Sequence, residues 1–267
     1  MNHTFRVFDH SVSPLTSDAL LPFAFEELLC RAIGDGEQAS IHFWRHSHAC
    51  ILGMRDRQLP YAQEGIAALQ ARGYQVAVRH SGGAAVPLDQ GVLNFSIVLP
   101  MRVGQLSFQE DFERMAQVIM QAASSFAGLP AVDVGEVEGS YCPGGFDLSV
   151  GGRKFAGISQ RRQTKAHIVH AFILISGDAI ARAQAVREYY DLASKDTFMD
   201  YPKVDPKTMV SLAEHDASVT VEGFKQALLG AFSIADIHTS WHYEATQLNQ
   251  MQEILRQRYD HNETEKV

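Results

Sequence analysis

Apolar residues recur along this chain at two spacings. Short extended segments are predicted at Phe5–Asp9, Ile41–Trp44, Cys50–Gly53, Gln75–Arg79 and Gly91–Leu99, the last halted by Pro100. Ile41–Trp44 and Cys50–Gly53 read as a strand pair. Helical spacing marks Asp18–Ile33, with Leu21, Phe25, Leu28 and Leu29 on one side, and Tyr61–Arg72, stopped by Gly73. Phe108–Phe126 is the clearest helix of the middle, ending near Gly128 and Pro130. Extended pieces follow at Val132–Val137, Phe146–Val150, Lys154–Arg161 and His167–Ile175, the last two forming a hairpin around Arg162–Lys165. Helical patterns return at Asp178–Ser194, Asp205–Glu214 and Val221–Phe232, and over 243–259, before a polar tail from Asp260.

Hairpin strands interspersed with helices predict an α+β fold with a mixed sheet. The region from about residue 200 onward reads as helical and suggests a small lobe. With 267 residues and 46% hydrophobic content there is enough apolar material for a core without disulfides or metals. A net charge of −8 argues against a general nucleic-acid binder. No apolar run reaches membrane-spanning length, and Met1–His10 lacks a signal-peptide pattern. Three cysteines do not make a disulfide framework, so a cytoplasmic location is expected.

The cysteines differ. Cys30 and Cys50 lie in apolar surroundings and read as small buried hydrophobes. Cys142 stands in Gly139-Ser-Tyr-Cys142-Pro-Gly-Gly145, a loop, where a thiol is accessible. Further on, strand alternation puts Lys154 on the face of Ala156 and Ile158. From the residues alone Lys154 either snorkels to solvent or sits beside Cys142, where its charge favours thiolate. Between strands, Arg79-His-Ser-Gly-Gly-Ala-Ala-Val-Pro-Leu-Asp89 carries adjacent glycines. Their backbone N–H groups can approach an acyl carbonyl or oxyanion closely, or the segment is an ordinary tight turn. It lacks the Gly-Lys-Ser/Thr of a phosphate loop.

Arg79-x-Ser81-Gly-Gly83-x-Ala85-Val86-x-x-Asp89-x-Gly91-x-Leu93-Asn94 and Lys154-x-x-Gly157-x-Ser159 resemble the two motifs of the lipoate–protein ligase, octanoyltransferase and biotin ligase superfamily, over residues 40–230. Ala84 and Leu88-Asp89 depart from the ligases, which carry a third glycine and a His-Asp pair there. With Ser140-Tyr-Cys142-Pro-Gly, the pattern is similar to a narrower group, the octanoyl-[glycine cleavage H protein]:protein N-octanoyltransferases of Gram-positive bacteria.

The resemblance implies a biotin/lipoate ligase-like catalytic domain over residues 1–200, its motif core at about 40–200 and its sheet mainly antiparallel, with a helical C-terminal extension over 201–267. It makes Cys142 an acyl-thioester nucleophile and Lys154 the residue that keeps that thiol reactive. Arg79, Ser81, Gly82, Gly83, Asn94, Gly157, Ile158 and Ser159 would line the acyl pocket. It implies no cofactor and no metal. The octanoylated glycine cleavage H protein would be the donor and lipoyl domains of 2-oxoacid dehydrogenase E2 subunits the acceptors, with no nucleic acid or membrane as partner. Three other readings stand beside it: an octanoyl-[acyl carrier protein]-dependent transferase, an ATP-dependent lipoate ligase, and a non-catalytic binder of acylated carriers. Arg161, Arg162 and Lys165 at the hairpin end are expected to form a basic docking patch. The 12 histidines suggest metal chemistry, but His46 and His48 lack a third ligand, and His167 and His170 should face opposite ways.

Overall fold

The structure is a computed structural model, described here for residues 4–101, 109–195 and 198–260. In chain order the first half contains β1 (Thr4–Leu15), α1 (Leu21–Gly34), β2 (Ser40–His46), β3 (His48–Leu52), α2 (Met54–Arg57), α3 (Ala62–Ala71), β4 (Gln75–Val78), β5 (Val86–Asp89), β6 (Val92–Pro100) and α4 (Gln109–Ala123). The second half adds β7 (Val132–Val134), β8 (Leu148–Val150), β9 (Arg153–Arg162), β10 (Ala166–Leu174), α5 (Ala179–Ala193), α6 (Val221–Leu229), β11 (Ser233–His238) and α7 (Ala245–Tyr259). Helix boundaries follow local chemistry. Asp178 caps α5 by accepting from the Ala181 N–H, Thr220 caps α6 by accepting from the Gly223 N–H, and Gly73, at φ +85°, turns the chain after α3. The predicted start of α4 at Phe108 and the polar tail beyond Asp260 fall outside the described residues.

An eight-stranded sheet runs in the order β11-β1-β2-β6-β10-β9-β8-β7, and a three-stranded sheet in the order β4-β3-β5. β1 pairs parallel with β2 and β11; the other pairs of the large sheet are antiparallel. The fold is therefore α+β with a mixed, mainly antiparallel sheet. Alternation along β6 divides the molecule: Leu93, Phe95, Ile97 and Leu99 join a core with α4 and α6, while Asn94 and Ser96 belong to the opposite face. Phe95 is fully buried and stacks on Phe43 with ring centroids 5.1 Å apart. Side chains of this kind stabilise by about 1.5–3 kcal/mol each. The opposite face is covered by α1, α5 and the small sheet, whose apolar residues form a second core.

Several elements differ from expectation. β2 and β3 do not pair; the chain bends at Ser47, where the His48 N–H donates to His46 Nδ1 at 3.0 Å, and the two strands enter different sheets. The helix expected over Asp205–Glu214 is two single 3₁₀ turns, Pro206–Thr208 and Leu212–Glu214. Between them the backbone bonds to β9 instead, the Val210 N–H donating to the Lys154 carbonyl at 3.0 Å, and Met209 and Val210 are buried. The region after residue 200 also supplies β11 to the large sheet, while α7 packs on α1 through Leu248.

Candidate active site

Cys142 is held in an unusual conformation. Its φ is +48°, the left-handed region, and it is alone in this among the described non-glycine residues. Such a backbone persists only where its surroundings hold it. Lys154, fully buried, provides that hold. Its Nζ donates to the Tyr141 carbonyl at 3.0 Å, the Cys142 carbonyl at 2.7 Å and Asp147 Oδ1 at 2.8 Å, using all three ammonium hydrogens. Burial pushes the Asp147 carboxyl up, against the pull of Lys154. Tyr141 is buried and stacks on Phe172 at 5.8 Å, anchoring the residue before the cysteine.

The sulfur itself meets other groups. The Ala84 N–H and Arg79 Nη2 each donate to Cys142 Sγ at 3.2 Å, and the same Arg79 nitrogen donates to the Ala84 carbonyl. Gly83, at φ +104°, makes this approach possible: a Cβ there would collide with Arg79 Nη2 and lie 2.9 Å from Sγ. Beneath the loop, Asp56 accepts from the Gly53 N–H at 2.7 Å and from the Tyr190 hydroxyl at 2.8 Å. That hydroxyl in turn accepts from the Ala85 N–H at 3.3 Å, so the glycine segment rests on a buried polar support.

Cys142 borders a narrow, mainly apolar cavity. Of the residues expected there, Arg79, Ser81, Asn94, Gly157, Ile158 and Ser159 line it. Gly82 and Gly83 line a second, larger groove of about 1640 Å³, which shares Ser81 with the cavity and runs past Ser140 and Pro143. The apolar wall of the cavity, including Phe23, Trp44, Leu88 and Phe172, was not singled out from sequence. Trp44, Leu88 and Phe172 carry the alternation of any core strand and Phe23 the spacing of any core helix, so nothing distinguishes a pocket wall from packed interior. Ser96 and His170 add a polar corner, with His170 Nδ1 3.1 Å from Glu26 and 3.0 Å from Ser96 Oγ.

Lys154 reaches the site by a route that simple alternation misses. The register of β8 and β9 shifts between Leu148 and Ser149, opposite Phe155, so the face of Ala156 is not that of Lys154. Lys154 Cε instead lies beside Gly157, with Nζ 5.5 Å from the Phe172 ring centroid. The expected basic patch is also changed. Arg161 is turned inward to Glu27, and Lys165 pairs with Asp35. Cys30 and Cys50 are buried as expected, and burial pushes the Cys30 thiol up to about 12. His167 and His170 do face opposite sides, toward Asp111 and Glu26. Among the described residues no group of three or more His, Cys, Asp or Glu side chains could hold a metal, and no helix is long and apolar enough to cross a membrane.

The glycine-rich loop and the buried lysine both bond to Cys142, at the edge of an apolar cavity, and the sequence places the chain in one family. Residues 18–233 match the lipoyl protein ligase A/B catalytic domain, and the chain belongs to that family. Among its relatives, the octanoyl-[GcvH]:protein N-octanoyltransferase of Anoxybacillus flavithermus is 42% identical over 79% of this chain and 76% of its own length. The lipoyl-[GcvH]:protein N-lipoyltransferase of Listeria monocytogenes is 39% identical over 78% of this chain and 76% of its own. Of solved structures, lipoate-protein ligase A bound with ATP superposes with a TM-score of 0.71 at 20% identity, covering 98% of each chain, a likeness of fold alone.

Proposed function

We infer that this chain is an acyltransferase of protein lipoylation, moving octanoyl from the lysine of the glycine cleavage H protein to lysines of E2 lipoyl domains through a thioester on Cys142. The observation that carries the reading is the sulfur at the rim of an apolar cavity, receiving two N–H donors. The names of several relatives about 40% identical to this chain support the donor and the acyl group. The cytoplasm, whose reducing conditions keep a thiol free, is the compartment we assign.

In this scheme the donor's acyl tail lies in the cavity and its lysine arm in the groove beside it. The Cys142 thiolate adds to the amide carbonyl carbon, and the C–N bond then breaks as the lysine nitrogen takes a proton. Lys154 supplies that proton by releasing one of its three acceptors. The Ala84 N–H and the Arg79 guanidinium stand where charge develops beside the sulfur. An acceptor lysine amine then adds to the thioester and gives a proton back to Lys154, the C–S bond breaks, and the thiolate returns. One amide replaces another, so the exchange is close to balanced without ATP.

A donor panel tests this. Octanoylated H protein, octanoyl carrier protein, and octanoate with ATP are each offered with a lipoyl-domain acceptor. Transfer from H protein without ATP is expected; transfer only from the carrier protein, or only with ATP and free acid, contradicts it. The Listeria relative's name makes lipoyl the second acyl group to offer.

A further inference from the structure

The residue that organises Cys142 and Lys154 is one to which neither the sequence motifs nor the reaction scheme gives a role. Asp147 is 1% exposed and its carboxylate is occupied on both oxygens. Oδ1 accepts from Lys154 Nζ at 2.8 Å. Oδ2 accepts from the Gly144 N–H at 3.2 Å, the Val137 N–H at 3.4 Å and the Ser140 hydroxyl at 3.5 Å. Its backbone closes the same turn: the Asp147 N–H donates to the Gly144 carbonyl, and the Gly135 N–H to the Asp147 carbonyl, each at 3.0 Å. The loop from Val137 to Gly144 is thus drawn around one carboxylate, with Cys142 at its strained apex.

We propose that Asp147 is the positioning residue of the transfer: through Lys154 and the 137–144 loop it fixes the left-handed backbone of Cys142 and so the direction of its sulfur. Two links run from the carboxylate to the cysteine. One passes through Lys154 to the Tyr141 and Cys142 carbonyls; the other passes through Ser140 and Gly144, which flank the cysteine in sequence. Lys154 cannot hold both carbonyls in the same geometry once its third hydrogen is unpaired, because a buried ammonium seeks another acceptor. The position serves attack and proton delivery together, since the same ammonium bonds the nucleophile's own residue.

This inference rests on Cys142 as nucleophile, and the experiment separates the two. Octanoyl-enzyme formation is timed with octanoylated H protein for the native chain, Asp147→Asn, Lys154→Met and the double variant, alongside thermal melting. Asp147→Asn is expected to lower the acylation rate about 100-fold, the scale of a misplaced reacting group, while KM for the donor stays within about twofold. The double variant should be no slower than Lys154→Met, because residues acting as one unit do not multiply their losses. Asp147→Glu, which keeps the charge and moves it by one methylene, should melt like the native chain and still acylate at least about tenfold more slowly. An Asp147→Asn or Asp147→Glu enzyme within twofold of native rate, or losses that multiply in the double variant, overturns the assignment. Absence of any adduct on native Cys142 instead removes the functional reading on which it stands.

Discussion

Arg79 donates to the Cys142 sulfur at 3.2 Å, while Lys154 bonds the carbonyl of the same cysteine at 2.7 Å. The two cations are divided: one meets the sulfur, the other the backbone that carries it. Replacing Arg79 by Gln is therefore expected to slow octanoyl-enzyme formation about 100-fold, the usual effect of losing one donor at a charge-developing centre. Arg79→Lys should recover little, because an ammonium cannot reproduce a guanidinium's planar fork. Rapid-quench timing of the Cys142 adduct reads both; a native rate in Arg79→Gln contradicts this role.

Gly83 and Gly82 are neighbours with opposite tolerance. At Gly83, φ is +104° and a Cβ would strike the Arg79 guanidinium and crowd the sulfur. At Gly82 the nearest atom to a Cβ is the Gln160 carbonyl oxygen at 4.0 Å. Gly83→Ala should abolish most transfer, by about 100-fold or more, whereas Gly82→Ala should stay within a few-fold of native. Side-by-side transfer assays decide it, and equal tolerance at both positions would contradict the packing described.

How much of this was legible beforehand depends on the kind of signal. The strands on either side of the glycine segment, the β9–β10 hairpin and the buried nature of Cys30 and Cys50 follow from local pattern, and the structure has them. Alternation puts Lys154 on the wrong face because it assumes an unbroken register, and the bulge opposite Leu148 and Ser149 breaks it. β11 and β5 escaped notice for different reasons. Ser233–His238 is a largely exposed edge strand with little apolar pattern, and Val86–Asp89 contains Pro87, a residue confined to particular strand positions. Arg161 looked like a surface charge because its partner, Glu27, lies in a helix 134 residues away. Asp147 carries no motif spacing at all; only the folded loop discloses what it holds.

Gly157 lines the cavity beside Cys142. A Cβ there would sit 2.7 Å from the Phe172 ring and 3.2 Å from Lys154 Cε. Gly157→Ala should therefore lower kcat/KM for octanoyl transfer about tenfold or more, with a smaller loss for butanoyl, whose tail ends sooner. Competition between the two acyl donors on one carrier measures the ratio. An unchanged preference would mean the tail does not pass this glycine.

Acid should weaken the fold in two stages. Burial, aided by the charge of His42, pushes His10 down from 6.5 to about 3. Burial raises Glu27, but His80 and Arg161 outweigh it and hold the carboxyl at about 2 against an ordinary 4.5. Both folded-state values are depressed, so each contribution is complete above the unfolded value and lost on acidification. The His10 contribution is lost as pH falls from 6.5 toward 3, and that of Glu27 from 4.5 toward 2. Melting temperature should fall from roughly pH 7 to pH 5, and His10→Phe, which keeps a ring against Trp241, should flatten that slope. An identical slope in the variant would contradict the assignment.

A thioester on Cys142 is tested most directly by the mass of the peptide carrying that residue after brief exposure to octanoylated H protein, without ATP and without acceptor. One octanoyl group is expected on that sulfur, discharged when a lipoyl domain is added. An unmodified Cys142, or continued transfer by Cys142→Ala, would contradict it.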